Sequence, residues 1–126
     1  MKLKSLLSSY ATVALVFCVG LMLLPSFWIT LYGNEANAQA ALLLRLVGAL
    51  FGGIAVMVWL ARNEATSKSR DAMVLGLAVS NGLAALVALL GALSGVYNQF
   101  AWGPVATFAL FATAFTLTWR SDMLAR

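Results

Sequence analysis

Residues 72–96, AMVLGLAVSNGLAALVALLGALSGV, form the stretch that decides the fold class. They contain no charged side chain, and a helix of about 20 apolar residues can cross the hydrocarbon core of a bilayer, which is about 30 Å thick. Three further stretches of similar character lie on either side of it. The sequence therefore predicts four membrane-spanning helices, approximately over residues 6–31, 39–60, 72–96 and 102–119.

The composition indicates an integral membrane protein. Of the 126 residues, 63% are hydrophobic and 10% are charged, whereas a soluble domain carries about 25% charged residues. The connections 32–38, 61–71 and 97–101 are short and polar, which is typical of antiparallel neighbours in a helical bundle. We therefore predict an all-α fold, an integral membrane four-helix bundle with a single transmembrane domain over residues 1–126.

The basic residues predict the orientation. The side shared by the N-terminus, the middle connection and the C-terminus carries Lys2, Lys4, Arg62, Lys68, Arg70, Arg120 and Arg126, and the two opposite connections contain no Lys or Arg. By the positive-inside rule, both termini are cytoplasmic, and we expect a multi-pass protein of the cell inner membrane. Because no basic helix or aromatic-basic cluster is present, we expect membrane lipids as partners and no nucleic acid.

The chain has no His and a single Cys, Cys18. This composition excludes a zinc site of the usual Cys/His type, an internal disulfide and a Ser-His-Asp or Cys-His catalytic unit. We therefore predict no metal site and no catalytic residue, and we expect that the protein is not an enzyme. Cys18 is expected to behave as a small apolar packing residue.

Small residues recur at four-residue spacing in two of the spans. Such spacing places both members of a pair on one helix face, where they allow a neighbouring backbone to approach closely. One interpretation is packing between the second and third spans, and the other is a docking groove for another subunit. The candidate packing glycines are Gly48, Gly52 and Gly53 in the second span and Gly76, Gly82, Gly91 and Gly95 in the third.

An aromatic stripe marks the fourth span, where Phe108, Phe111, Phe115 and Trp119 recur at spacings of three and four. Such a stripe packs inside a bundle or faces acyl chains. A flat aromatic wall would also suit a lipid, a carotenoid or a quinone, so these residues are candidates for a cofactor site. Thr113 and Thr116 lie opposite the stripe, and we expect their hydroxyls to bond backbone carbonyls of the same helix.

Arg45 is the most informative polar residue. It lies roughly 9 Å inside the outer end of the second span at 1.5 Å per residue, and no carboxylate lies within a span. It either extends outward to carbonyls, Glu35 or lipid headgroups, or it forms an outward-facing anion site shared with Asn98. Asn81, in the inner half of the third span, is expected to form an interhelical hydrogen bond.

Residues 25–62 have a familiar outline: a proline near the end of the first span, a Tyr-Gly connection, the segment LLLRLVGALFGG and a closing WLAR. This outline resembles the DoxX-like and related four-helix bacterial membrane proteins, in which an Arg-x-x-Gly segment opens the second helix. Arg45 and Gly48 match that segment, and Gly95, Asn98 and Trp102 are loosely similar as well. The resemblance implies a bacterial inner-membrane bundle and supplies no catalytic residue. Better-known members are associated with quinone- or thiol-linked redox complexes, and this chain lacks a redox-active dithiol.

We expect a non-enzymatic structural or accessory subunit of a membrane protein complex. It would dock through its small-residue grooves onto other membrane subunits or a second copy of itself, and it would contact a lipid, carotenoid or quinone. The alternative is a small transporter or channel with an outward-facing anion site at Arg45, because an ionisable residue within a span often marks a transport pathway. A membrane enzyme would need its chemistry from a bound cofactor.

Overall fold

The computed structural model describes residues 2–125 and shows helices and no strand over that range. The helices are α1 (Leu3–Leu23), α2 (Pro25–Leu31), α3 (Ala38–Ala61), α4 (Lys68–Leu93) and α5 (Trp102–Leu124), with a short 3-10 turn at Gln99–Ala101 before α5. Four of these elements are long and apolar enough to cross a membrane, which confirms the predicted number of membrane-length helices. Arg126, one of the residues used to predict the orientation, lies outside the described residues.

The first predicted span is interrupted in the structure. Leu24 separates α1 from α2 and has φ −128° and ψ 50°, outside the helical region. The cause is Pro25, because a proline ring disfavours the helical conformation of the residue before it. Pro25 itself occupies the first position of α2, where its missing N–H leaves no helical bond unmade. One proline therefore ends α1 and begins α2.

The chain divides into two compact units of equal length. The first hairpin, Met1–Asn63, contains α1, α2 and α3, and the second hairpin, Glu64–Arg126, contains α4, the 3-10 turn and α5. In each hairpin the two long helices pack along one another. The arrangement of all four spans as one bundle and the cytoplasmic placement of the termini stay predictions.

The first hairpin buries one face of each long helix. Leu7 and Ala14 of α1 and Val58 of α3 are almost completely shielded, whereas Leu50 and Leu60 of α3 are 69% and 68% exposed. Large exposed leucines would be costly in water, but lipid tails are as apolar as leucine. The exposed faces of this hairpin therefore suit a membrane.

Both hairpins use the same chemistry in their connections. Gly33 and Gly95 have φ of 85° and 78°, in the left-handed region that glycine adopts without strain. An asparagine follows each of them and caps the next element: the Asn37 side chain accepts from the N–H of Ala40 at 2.8 Å, and the Asn98 side chain accepts from the N–H of Phe100 at 3.1 Å. In each connection the glycine therefore allows the chain to turn after one helix, and the asparagine caps the start of the next element.

Candidate functional site

Arg45 lies in the second turn of α3, and its side chain reaches the end of α1. Helical side chains tilt toward the N-terminus, so Arg45 points toward the connected end of the first hairpin. Its Nε donates to the backbone carbonyl of Met22 at 3.3 Å, and the residue remains exposed. The structure therefore provides a backbone carbonyl for Arg45, one of the partners that the sequence interpretation named.

The interruption at Leu24 explains why this carbonyl is available. Among the described residues, the backbone hydrogen bonds that bridge α1 and α2 run from the Leu24 N–H to Gly20 O at 2.9 Å and from the Trp28 N–H to Leu24 O at 3.4 Å. The Met22 carbonyl belongs to the last turn of α1, where helix carbonyls lack helical donors and the helix dipole is negative. Arg45 supplies a cationic donor at that point.

An aromatic column that the sequence analysis missed runs through the first hairpin. The Phe17 ring stacks on Phe51 with centroids 5.4 Å apart and lies 6.4 Å from Trp28, which stacks in turn on Tyr32 at 6.4 Å. Gly20 makes room for the indole, because a Cβ there would lie 3.1 Å from Trp28 Nε1. The signal in the sequence was an aromatic residue three positions after a proline, which places Trp28 in the helix that starts at the break.

Gly48 and Gly52 face α1 of their own hairpin. A Cβ at Gly48 would lie 3.0 Å from Met22 Cγ and 3.1 Å from the Cys18 carbonyl oxygen, and a Cβ at Gly52 would lie 2.9 Å from Cys18 Sγ. The sequence interpretation placed these glycines between the second and third spans, but the structure gives them the first span as neighbour. Cys18 is half-buried and packs at this contact.

Gly91 and Gly95 do not form a helical groove, which corrects the sequence interpretation of this pair. Gly95 lies beyond the end of α4, with φ of 78°. The Tyr97 N–H donates to Gly91 O at 3.2 Å, and the Tyr97 ring covers Gly91 so closely that a Cβ there would lie 2.6 Å from Cδ2. Both glycines therefore serve the turn after α4.

Three of the predicted packing glycines remain open. A Cβ at Gly53 of α3, or at Gly76 or Gly82 of α4, would meet no described heavy atom within 4 Å. All three positions are exposed, and exposed leucines or valines flank them. These glycines are the part of the predicted small-residue pattern that contacts within the hairpins do not use.

The aromatic stripe of α5 is buried against protein at Phe115. Phe115 is 0% exposed and stacks on Phe111 with centroids 6.1 Å apart. Phe108 and Trp119 are half-buried. A ligand wall needs open ring faces, so the burial of Phe115 favours packing over ligand binding at this residue.

Each of the two candidate asparagines makes a hydrogen bond to a nearby backbone group, and the interhelical bond expected for Asn81 stays a prediction. Asn81 is 1% exposed, and its Nδ2 donates to the Leu77 carbonyl of the preceding turn of α4 at 2.8 Å. Asn98 caps the 3-10 turn before α5. Asn98 belongs to the second hairpin and Arg45 belongs to the first. An anion site shared by these two residues stays a prediction.

Basic side chains at the other end of the hairpins have specific partners. Arg70 at the start of α4 forms an ion pair with Asp122 of α5 at 3.1 Å and also donates to Thr66 Oγ1 at 2.9 Å. The Arg62 guanidinium lies 3.6 Å from the centre of the Trp59 ring, which is a cation–π contact. It also donates a hydrogen bond to the Trp59 carbonyl. No pattern in the sequence indicated that Arg70 and Asp122 form a pair.

Hydroxyl groups within the spans bond their own helices. Thr113 donates to Ala109 O at 2.8 Å and Thr116 donates to Ala112 O at 2.7 Å, which confirms the prediction for these two residues. The same bond to a carbonyl four residues earlier is made by Ser9, Thr12, Thr30, Thr107 and Thr118. Among the described residues, no group of three or more Cys, Asp or Glu side chains is placed to hold a metal ion.

Comparisons of the chain with protein-family models, with curated proteins and with solved structures gave no match. The resemblance to DoxX-like proteins therefore stays a prediction from the sequence.

Proposed function

We propose that this protein is a non-enzymatic structural or accessory subunit of a membrane protein complex. The proposal rests on the observation that some of its helical glycines are covered by neighbouring side chains and others are not. Gly48, Gly52 and Gly91 are covered by side chains of their own hairpins, whereas Gly53 stays open on an exposed apolar face. In a membrane, where helices gain little from the hydrophobic effect, open small residues are the positions at which another helix packs most closely.

The partner that suits this face is another apolar helix. Gly53 lies one turn after Ala49, and Leu46, Leu50 and Met57 beside them are 56–69% exposed. A helix packed against Ala49 and Gly53 could place its backbone between these longer side chains. The partner is therefore a second membrane subunit or a second copy of this chain, and lipid covers the faces that it leaves exposed.

The polar side chains support this function over transport. The span threonines donate to backbone carbonyls of their own helices. A transporter or channel with an anion site at Arg45 would need that guanidinium to bind and release its ion. Loss of a measured flux in Arg45→Gln, with the fold retained, would replace the present proposal with transport.

Leucine substitution at Gly53 tests the docking face. The tagged protein would be extracted gently from native membranes and its associated subunits would be quantified. We expect Gly53→Leu to keep the helical circular dichroism of the wild type and to lose its partner, because a Cβ at this position meets no described atom within 4 Å and the leucine fills the docking position. Gly103→Leu, at another open helical glycine, is the matched control and should keep the partner. Equal retention of the partner by both variants would refute this docking face.

A further inference from the structure

We propose that Arg45 binds the phosphate of a phospholipid at the connected end of the first hairpin, the end that the basic residues assign to the outer leaflet. The proposal does not depend on an accessory role, because it concerns a lipid contact of the hairpin itself. It rests on three observations: the orientation of the guanidinium, its uncompensated charge and the small residues above it on the helix face.

The hydrogen bond to Met22 orients the guanidinium. Nε is engaged at 3.3 Å, and this bond holds the planar group against the end of α1. The N–H groups of Nη1 and Nη2 have no hydrogen-bond partner among the described residues, and the side chain is exposed. These terminal groups form the edge of arginine that binds carboxylate and phosphate with paired hydrogen bonds.

The positive charge of Arg45 has no counter-charge within ion-pair distance among the described residues. Glu35, in the connection before α3, is the single acidic residue of residues 1–63. Arg45 lies about 10 Å from the start of α3, and its tilted side chain brings the guanidinium nearer to the headgroups. A charge at this level of the membrane is stabilised by an anion, and the phosphate of a lipid is the anion that the surroundings provide.

Two alanines lie above Arg45 on its face of α3: Ala38 is exposed and Ala41 is half-buried. Ala41 and Ala38 lie four and seven residues earlier, which places them one and two turns above Arg45 on the same face. Methyl side chains there leave space for a phosphate. Leu42, three residues before Arg45, is 59% exposed and offers an apolar contact for the lipid beside the guanidinium. This combination of a cationic group and an apolar exposed face favours a lipid over a soluble anion.

Lipid retention by the purified full-length protein tests the site. Phosphatidylglycerol would be titrated into the detergent-solubilised protein, and bound lipid would be counted by native mass spectrometry. We expect Arg45→Gln to bind the lipid at least about tenfold more weakly, because the paired charge-assisted hydrogen bonds to the phosphate are lost. Arg62→Gln, which removes the same charge at the other end of α3, should bind like the wild type. An equal loss in both variants would show unspecific charge attraction and overturn the proposal.

A second pair of variants leaves Arg45 and its bond to Met22 in place. In Ala41→Glu a carboxylate one turn before Arg45 should form an ion pair with it and displace the phosphate. Ala41→Gln has the same size without the charge and should retain the lipid. Equal retention by the two variants would contradict the proposal even if Arg45→Gln failed to fold.

Competition identifies the source of the phosphate. Inorganic phosphate and glycerophosphoglycerol carry the same chemistry without acyl chains, and neither should displace phosphatidylglycerol at equal concentration. Displacement by either one would identify Arg45 as a site for soluble anions and would overturn the lipid proposal.

Discussion

The substitution Gly91→Ala tests the packing of the second hairpin most sharply. The new Cβ would lie 2.6 Å from Cδ2 and 2.7 Å from Cε2 of Tyr97, whereas carbon atoms in contact lie about 3.5–4.0 Å apart. The ring must therefore move by about 1 Å. That movement is opposed by the Tyr97 N–H bond to Gly91 O and by the turn conformation at Gly95.

The magnitude follows from two opposing contributions. Forced overpacking costs about 1–3 kcal/mol, while replacing a helical glycine with alanine gains about 1 kcal/mol from helix propensity. Gly82→Ala in the same helix has the propensity gain alone, because its Cβ meets no described atom. We therefore expect Gly82→Ala to be more stable than the wild type, and Gly91→Ala to be about 1–3 kcal/mol less stable than Gly82→Ala.

The assay is reversible unfolding in mixed detergent and dodecyl sulfate micelles, followed by tryptophan fluorescence and circular dichroism. Tyr97→Ala provides the internal check, since without the ring Gly91→Ala should behave like Gly82→Ala. Equal stability of Gly91→Ala and Gly82→Ala in the otherwise unchanged protein would refute the proposed contact between Gly91 and Tyr97.

Three further predictions concern the second hairpin and the orientation. Asp122→Asn should lower the free energy of unfolding by about 1–2 kcal/mol, and a double-mutant cycle with Arg70→Met should show that the two changes are coupled. Phe115→Ala should lower the free energy of unfolding by about 3 kcal/mol or more, because it leaves a cavity at a fully buried ring. The control Leu117→Ala, at a 58% exposed position, should lower it by less than about 1 kcal/mol. A fluorescent protein fused to the C-terminus should fold and fluoresce in the cytoplasm, and a periplasmic alkaline phosphatase fused there should be inactive; the reverse pattern would contradict the predicted orientation.

The spans could be predicted because they depend on local properties. Length and absence of charge define a membrane helix, and the interruption near Pro25 follows from the geometry of proline alone. The hydrogen bonds of Thr113 and Thr116 were equally predictable, since a threonine in a helix bonds the carbonyl one turn earlier.

The partners of the small residues could not be predicted from spacing. Periodicity places Gly48 and Gly52 on one face of α3, but it contains no information about which helix covers that face. The spacing of Gly91 and Gly95 matched a packing motif, although α4 ends at Leu93 and Gly95 belongs to the turn. Four-residue spacing has its structural meaning only while the helix continues.

Long-range polar contacts were also beyond the sequence. Arg70 and Asp122 are 52 residues apart, and each alone resembles a charge at a helix end. Arg45 was recognised as unusual, but its bond to Met22 depends on how α1 and α3 are aligned. In that alignment Cys18 packs against Gly52, a contact that no local pattern reveals.

Docking through the membrane helices can be measured by native mass spectrometry of the protein extracted gently from its own membranes. We predict a reproducible complex in which this chain is present in fixed stoichiometry with another membrane protein or with a second copy of itself, and that complex should be lost in Gly53→Leu. Extraction of the protein as a monomer, with bound lipid and no protein partner, would contradict the proposed docking.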